Sequence, residues 1–311
     1  MRTAPVTPSA AEVLSAVRRC WSPTAQQAVH LPLGFGAHHW RIDAAHGPTL
    51  FATLDHPSPT RSVRSFLLAY RAARELAEAG LPGVLAPAPA SASVPGADGE
   101  VATALAGGLL SVTPWQSGRT PSAQEAARPQ HLARTLALLD GLHGTTPPPH
   151  LPAWSPRVAP ALPDRLAEST RRSWDAGPLG DQARALLRAA APRIARSDQR
   201  YRELADRERA QSEHRVPTHG EPHHGNQMLL PDGTLLLVDW ETLGAAPRER
   251  DLAALPRSVQ RARRADPAMI ELFELEWMLS EVEEYQRWFR APHTGDEDDR
   301  IALQGLREEL S

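Results

Sequence analysis

The 311-residue chain contains no lysine; all 34 of its basic residues are arginine. Set against 37 acidic residues they leave a formal net charge of −3. The chain therefore has no surplus of positive charge for holding a phosphate backbone, and nucleic acid is not an expected partner. Cysteine is nearly absent: Cys20 stands alone, which excludes an intramolecular disulfide and fits a reducing, cytoplasmic compartment. No apolar run reaches the length of a bilayer span, and the opening MRTAPVTPSAAEVLSAV lacks an apolar core of signal-peptide length. A cytoplasmic protein without a membrane partner is expected.

What is present is enough chain for one large two-lobed domain or two ordinary ones, either with room for a cleft. A helix is expected around Ala10 to Arg19, and VHLPLGFGAHHWRI followed by TLFATL reads as a β-meander around a glycine-bearing turn. From Thr60 the apolar residues Val63, Phe66, Leu67, Tyr70 and Ala73 recur at helical spacing, and the helix should stop near Gly80. EVATALA and LLSVTPW follow, joined by Gly107 and Gly108, a pair suited to a tight hairpin turn. Beyond Trp115 a polar linker leads into a helix striped by Leu132, Leu136, Leu139 and Leu142. GTTPPPHLPAWSP reads as an extended excursion, Asp164 to His214 as two or three helices, and Glu271 to Arg290 as a strongly amphipathic helix.

The densest chemistry lies between Thr218 and Glu241, THGEPHHGNQMLLPDGTLLLVDWE. Phosphoryl transfer requires a carboxylate near an acceptor hydroxyl and hard oxygen ligands that hold magnesium against the phosphates. Glu221 and Asn226 lie five positions apart on one loop, and a hairpin with Pro231, Asp232 and Gly233 at its turn brings Asp239 back towards it.

At these residues the chain resembles the aminoglycoside phosphotransferase family, a branch of the protein-kinase-like fold. HGEPHHGN is similar to that family's HGDxxxxN catalytic loop, and LLLVDWE to its metal-binding strand. LPLGFGAHHW resembles the nucleotide-covering loop, SVTPWQSGR the hinge, LDGLHGTTP the first helix of the large lobe and RERDLAAL the segment after the metal strand, so the resemblance covers roughly residues 28 to 255. It implies an α+β, bilobal fold. A small antiparallel sheet lobe with one main helix would occupy 1–113, a hinge 114–117, and a larger, mostly helical lobe carrying the catalytic loop and hairpin 118–311. The activity it implies is magnesium-dependent transfer of the γ-phosphate of ATP or GTP to a hydroxyl of a small natural product, of the kind that gives antibiotic resistance or self-protection. A monomer or homodimer is expected. The alternative is a kinase-like protein that binds nucleotide or a small molecule without catalysis.

The resemblance assigns Glu221 and His219 to the catalytic group and Asn226 and Asp239 to the metal. Gly34, Gly36, Arg41, Thr53, Thr113 and Trp115 fall on the nucleotide, while Glu241, His224 and Glu274 are candidates on the acceptor side. Two positions depart from the family pattern. Glu221 stands where aspartate is usual, which keeps the charge but lengthens the side chain by one methylene. Thr53 stands where a strand lysine usually bonds the α- and β-phosphates and pairs with a helix glutamate, here Glu75. With no lysine available, Arg41 is the expected phosphate contact.

Bland readings stand beside these. His219 can brace the loop, Asp251 can hold the loop or a helix start, and the acids of the Glu271–Arg290 helix can form a solvated face. HxExHH does not have the helical HExxH spacing of a zinc site.

Overall fold

The computed structural model describes residues 1–34, 36–58, 61–90, 100–210 and 215–311. Phe35 of the glycine turn, Thr60 at the expected start of the second helix and His214 at the expected end of the arginine-rich stretch lie outside them. In chain order the first part comprises α1 (Ala10–Cys20), β1 (Ala25–Leu31), β2 (His38–Ala44), β3 (Leu50–Asp55), α2 (Val63–Glu78), β4 (Ala102–Leu105), β5 (Gly108–Pro114), α3 (Ala123–Ala126) and α4 (Pro129–His143). Then come α5 (Leu162–Ser169), α6 (Gly180–Ala210), β6 (Val216–Thr218), β7 (Gln227–Leu229), β8 (Leu235–Leu237), β9 (Gly244–Ala246), α7 (Glu249–Leu252), α8 (Arg257–Ala262), α9 (Pro267–Arg290) and α10 (Glu297–Glu309). The fold is mixed α+β, with an antiparallel five-stranded sheet of order β1-β2-β3-β5-β4 and a set of helices.

Two compact units divide the chain. The first holds Met1–Trp154 and Arg215–Pro256, the second Ser155–His214 and Arg257–Ser311. The five-stranded sheet and the β6–β9 and β7–β8 ladders thus share one unit, which also contains residues 114–117. Backbone pairing shows why. Leu237 of β8 donates to Gly83 and accepts from Leu85, while Arg119, just past β5, pairs in both directions with Leu229 of β7.

Alternation sorts the sheet's two faces. Trp40, Ile42, Ala52, Leu54, Leu110 and Val112 point to one side and pack against Val13, Ala16 and Val17 of α1. Burying each large side chain of that set contributes about 1.5–3 kcal/mol. Helix α1 starts where Ser9 and Glu12 form a capping box. The other face carries His39, Arg41, Phe51, Thr53 and Asp55, the odd-numbered partners of the same strands.

Two local expectations shift. The β4–β5 turn is made by Ala106 and Gly107, with φ of 48° and 76°, and not by the glycine pair. Gly108 opens β5 opposite Leu105, where an added Cβ would lie 2.6 Å from the Asp55 carbonyl oxygen. On α4 the inward residues are His131, Thr135, Leu139 and Leu142, so Leu132 and Leu136 sit only at the edge of the stripe. In the second unit the arginine-rich stretch forms α5 and one 31-residue helix, α6, which carries Pro192 without ending there.

Within that unit α6 runs against α9. Glu276 is buried and accepts from the Tyr201 hydroxyl at 2.7 Å and from Arg157 N at 3.0 Å. Glu283 accepts from Ala159 N at 2.9 Å. Part of the acidic α9 face is therefore structural and not simply solvated. Among the described residues no helix is long and apolar enough to cross a membrane.

Gly108→Ala is expected to lower the melting temperature more than Gly107→Ala. The first must displace backbone, whereas the second meets nothing within 4 Å and bears only the roughly 1–2 kcal/mol of a left-handed alanine. Thermal unfolding of the two variants checks the order, and a larger loss at Gly107 would contradict it.

Candidate functional site

The loop from His219 to Asn226 is suspended between two short antiparallel ladders. Strand β6 ends at Thr218, paired with Gly244 of β9, and Asn226 leads directly into β7, where Gln227 pairs with Leu237. Side chains fix the entry: Thr218 Oγ1 donates to Gly244 O at 2.8 Å and Thr242 Oγ1 to His219 O at 2.7 Å. Beneath them lies Asp251, completely buried, accepting from His219 N at 3.1 Å, Gly220 N at 2.6 Å and His143 Nε2 at 2.9 Å. Burial pushes the Asp251 carboxyl up, but the hydrogen bond and charge of His143, with the Gly220 amide, outweigh it and leave the group below its ordinary range.

Gly220 has to be glycine. Its φ is 96°, and a Cβ there would come within 2.4 Å of Arg250 Nη2. Arg250 is buried under the loop and donates through Nη1 to Thr218 Oγ1 and Thr242 O. His219 is also buried. Its Nε2 donates to Val238 O at 3.0 Å, and its Nδ1 accepts from Glu221 N at 3.3 Å. Burial, the first cause, lowers its pKa to about 4, so the ring is neutral and its two nitrogens hold the loop against the strand end. Neither nitrogen is left for zinc.

Asn226 joins the two halves. Its side-chain nitrogen donates to Glu221 O at 3.0 Å, and its own carbonyl accepts from Val238 N at 3.0 Å. The amide nitrogen is thereby occupied and the amide oxygen is the atom left to act as a donor to a cation. Asp239, the next residue after Val238, has φ 65° and ψ 68°. A left-handed conformation at a non-glycine residue stores strain, and such positions cluster at functional sites. Trp240 is buried behind it, its indole nitrogen donating to Leu237 O at 3.0 Å.

Around Asp239 the charge is mostly negative. Asp55, at the end of β3, is buried and accepts from the Tyr70 hydroxyl of α2. Glu241 forms an ion pair with Arg61. Burial, then Glu241, raises the Asp55 carboxyl to about 7, opposed by the Tyr70 hydroxyl and Arg61. Asp239 is pushed well above the usual carboxylate range, first by surrounding protein and then by Glu241, Asp55 and Glu221, again opposed by Arg61. Asp239 nevertheless opens to solvent, so the repulsion from its three acidic neighbours is the more telling cause. Hard oxygens are the natural ligands of a divalent cation, but among the described residues no three His, Cys, Asp or Glu side chains are grouped so as to hold a metal ion without a further donor such as Asn226.

The nucleotide candidates share the other face of the sheet. Gly34 and Gly36 have φ of 66° and 91°, which the turn before β2 requires. His39 stacks on Phe51 at 5.0 Å and lies 3.2 Å from Thr53 Oγ1; burial and nearby cationic groups lower its pKa to about 3. Arg41 sits with its guanidinium 5.3 Å from the Trp115 ring centroid and its Nε 2.9 Å from Asp43. Thr113 faces Phe51 across β3 and β5. Glu75, expected beside a strand cation, instead pairs with His150 of the proline-rich segment.

Of the acceptor candidates, His224 is exposed on the rim of a recess of about 150 Å³ that Ala126, Leu132, Pro222, His223 and Leu255 also line. Glu241 is committed to Arg61, and Glu274 in the second unit to Arg257 at 2.8 Å. Asp251 and Arg250, adjacent in RERDLAAL, carry the loop, and sequence reasoning singles out only Asp251. Arg61 has no sequence signal.

The sequence model of the phosphotransferase enzyme family matches residues 29–289. Protein StrN of Streptomyces griseus is 32% identical over 254 residues, which cover 78% of this chain and 76% of that protein. Spectinomycin phosphotransferase, solved with ADP and spectinomycin, matches with a TM-score of 0.73 at 13% identity over 98% of this chain and 95% of its own. An ethanolamine kinase from Plasmodium vivax matches with a TM-score of 0.57 at 11% identity, covering 93% and 82%. At these identities the two solved structures share the fold.

Removing the buried anchor by Asp251→Ala is expected to destabilise the protein by about 3 kcal/mol or more, as when one member of a buried charged network is deleted. Denaturant unfolding measures this, and a loss below about 1 kcal/mol would show that the anchor is dispensable. Asp55 makes a pH prediction. Its folded pKa is raised from 3.8 to about 7, so the stability it contributes is full below 3.8 and is lost as pH rises through 7. Asp55→Asn cannot ionise and retains an acceptor for Tyr70. In metal-free buffer its melting temperature should exceed that of the wild type by more at about pH 8 than at about pH 5. Equal increments would mean that Asp55 does not titrate in this window.

Proposed function

The chain belongs to the phosphotransferase enzyme family, and on that premise we propose that it transfers the γ-phosphoryl group of ATP or GTP to a hydroxyl of a small natural product of the antibiotic class. The observation that carries this reading is the double tie made by Asn226, to Glu221 on one side and to Val238 beside Asp239 on the other. These bonds tie the backbone at Glu221 to the backbone next to Asp239, which supports a reading with Glu221 as the acceptor-side and Asp239 as the metal-side carboxylate.

In this reading Glu221 accepts a hydrogen bond from the acceptor hydroxyl and orients or removes its proton as the bond from the acceptor oxygen to the γ-phosphorus forms and the bond from that phosphorus to the β,γ-bridging oxygen breaks, releasing the nucleoside diphosphate. His219 fixes the direction of Glu221 through its backbone and stays neutral. Asn226 Oδ1 and the Asp239 carboxylate are the hard oxygens that would hold Mg²⁺. The bound ion supplies neutralisation of charge on the β- and γ-phosphates. Gly34 and Gly36 turn the chain over the nucleotide, whose base lies along the face of Thr53, Thr113 and Trp115. His224 meets the acceptor at the recess rim. Spectinomycin phosphotransferase is named for an antibiotic, which agrees with resistance or self-protection as the purpose. The Asn226 ties favour catalysis over the non-catalytic alternative.

The test is to incubate the protein with ATP or GTP, magnesium and a panel of antibiotics and to look for a phosphate mass increment. Asp239→Asn should abolish turnover, and Glu221→Gln should lower kcat by roughly a hundredfold or more, both with the fold intact by circular dichroism. Full activity of Asp239→Asn sinks the assignment.

A further inference from the structure

The chain has no lysine, and β3 presents Thr53 where a phosphate-binding cation is expected. Two arginines border the face concerned. Arg41 pairs across the sheet with Phe51, which pairs in turn with Thr113, and its guanidinium lies over Trp115. That is the hinge end of the sheet. Asp55 lies four residues further along β3, about 13 Å away at the ordinary rise of a strand, and it marks the opposite end. A nucleotide with its base at the hinge and its phosphates at Asp239 runs away from Arg41.

Arg61 occupies the other end. Its backbone closes a tight bridge with Ser58, through N–H···O bonds of 2.8 and 3.1 Å, just before α2 begins. Its guanidinium lies 5.6 Å from the centroid of the Phe66 ring, and its Nη1 forms an ion pair with Glu241, two residues beyond Asp239. The side chain is 28% exposed, against 48% for Arg41. It is more enclosed and is tied directly to the segment that carries the metal-side carboxylate.

We propose that Arg61 is the phosphate-binding cation of this enzyme, in place of the missing strand lysine, with Glu241 holding its guanidinium at the metal end of the cleft. The proposal rests on the nucleotide-donor reading above. A guanidinium presents five N–H donors in a fixed fork, so one group can hold a carboxylate and a phosphate at once. A lysine ammonium has no such fork. The residue contributes fixed positive charge towards the donor and takes no part in the proton transfer at Glu221.

Calorimetric titration with ATP and with adenosine, each with and without magnesium, tests this on the wild type, Arg61→Gln, Arg61→Lys and Arg41→Gln. Arg61→Gln should weaken ATP binding by about ten- to a hundredfold, with or without magnesium, and leave adenosine binding unchanged. Arg61→Lys should show a smaller loss of the same selectivity, and it serves as the test if the glutamine variant does not fold. Arg41→Gln should affect ATP and adenosine alike. The proposal is overturned if Arg61→Gln binds ATP as the wild type does, loses adenosine and ATP equally, or shows its defect only when magnesium is present. A wild type that binds neither ligand overturns the nucleotide reading together with this one, whereas a wild type that binds ATP, with neither Arg61 variant weaker for it, overturns this one alone.

Discussion

The buried carboxylate of Asp251 governs the geometry of everything above it. A charge with no access to water must be met by donors or it destabilises the fold, and here the donors come from two consecutive amides of the His219–Asn226 loop and from an imidazole on α4. Three segments far apart in sequence are thereby fixed to one point. Because His219 and Gly220 cannot shift without stranding that charge, the His219 ring keeps its aim at Val238 O, and Glu221 and Asp239 inherit a fixed relation. Arg250 fills the space that Gly220 leaves, so the loop is supported from below by a cation as well as an anion.

How much of this could be read from the sequence depends on the range of the interaction. The loop and hairpin between Thr218 and Glu241 were legible because Glu221, Asn226 and Asp239 are close in sequence and the Pro231–Gly233 turn is local. The same holds for α1, whose start is written in Ser9 and Glu12. The α4 stripe was misjudged because its inward face is set by what it meets: His131 turns inward to bond Gln227 at 2.6 Å, which no periodicity of leucines reveals. Gly108 looked like half of a turn. Its smallness answers the nearby Asp55 carbonyl, a contact made across the sheet.

Charge placement was the least legible part. Arg41 was singled out because it follows the glycine turn, yet sheet register puts it beside Trp115. Arg61 belongs to no motif and is brought to the carboxylates by its backbone bridge to Ser58 and its contact with Phe66 of α2. In a chain with 34 arginines, the type of residue identifies nothing and only its location does.

The pairing of Glu75 with His150 has a further consequence. Where a helix glutamate grips a strand cation that also grips phosphate, the position of the helix and the state of the nucleotide site are mechanically linked. Here the glutamate of α2 is tethered to the proline-rich segment after α4, and Tyr70 on the same helix holds Asp55 through a hydroxyl. The helix is thus latched to the scaffold from both sides by partners that carry no phosphate. The position of α2 is set by a segment after α4 and by the end of β3, so a change at either is carried along the helix to the other.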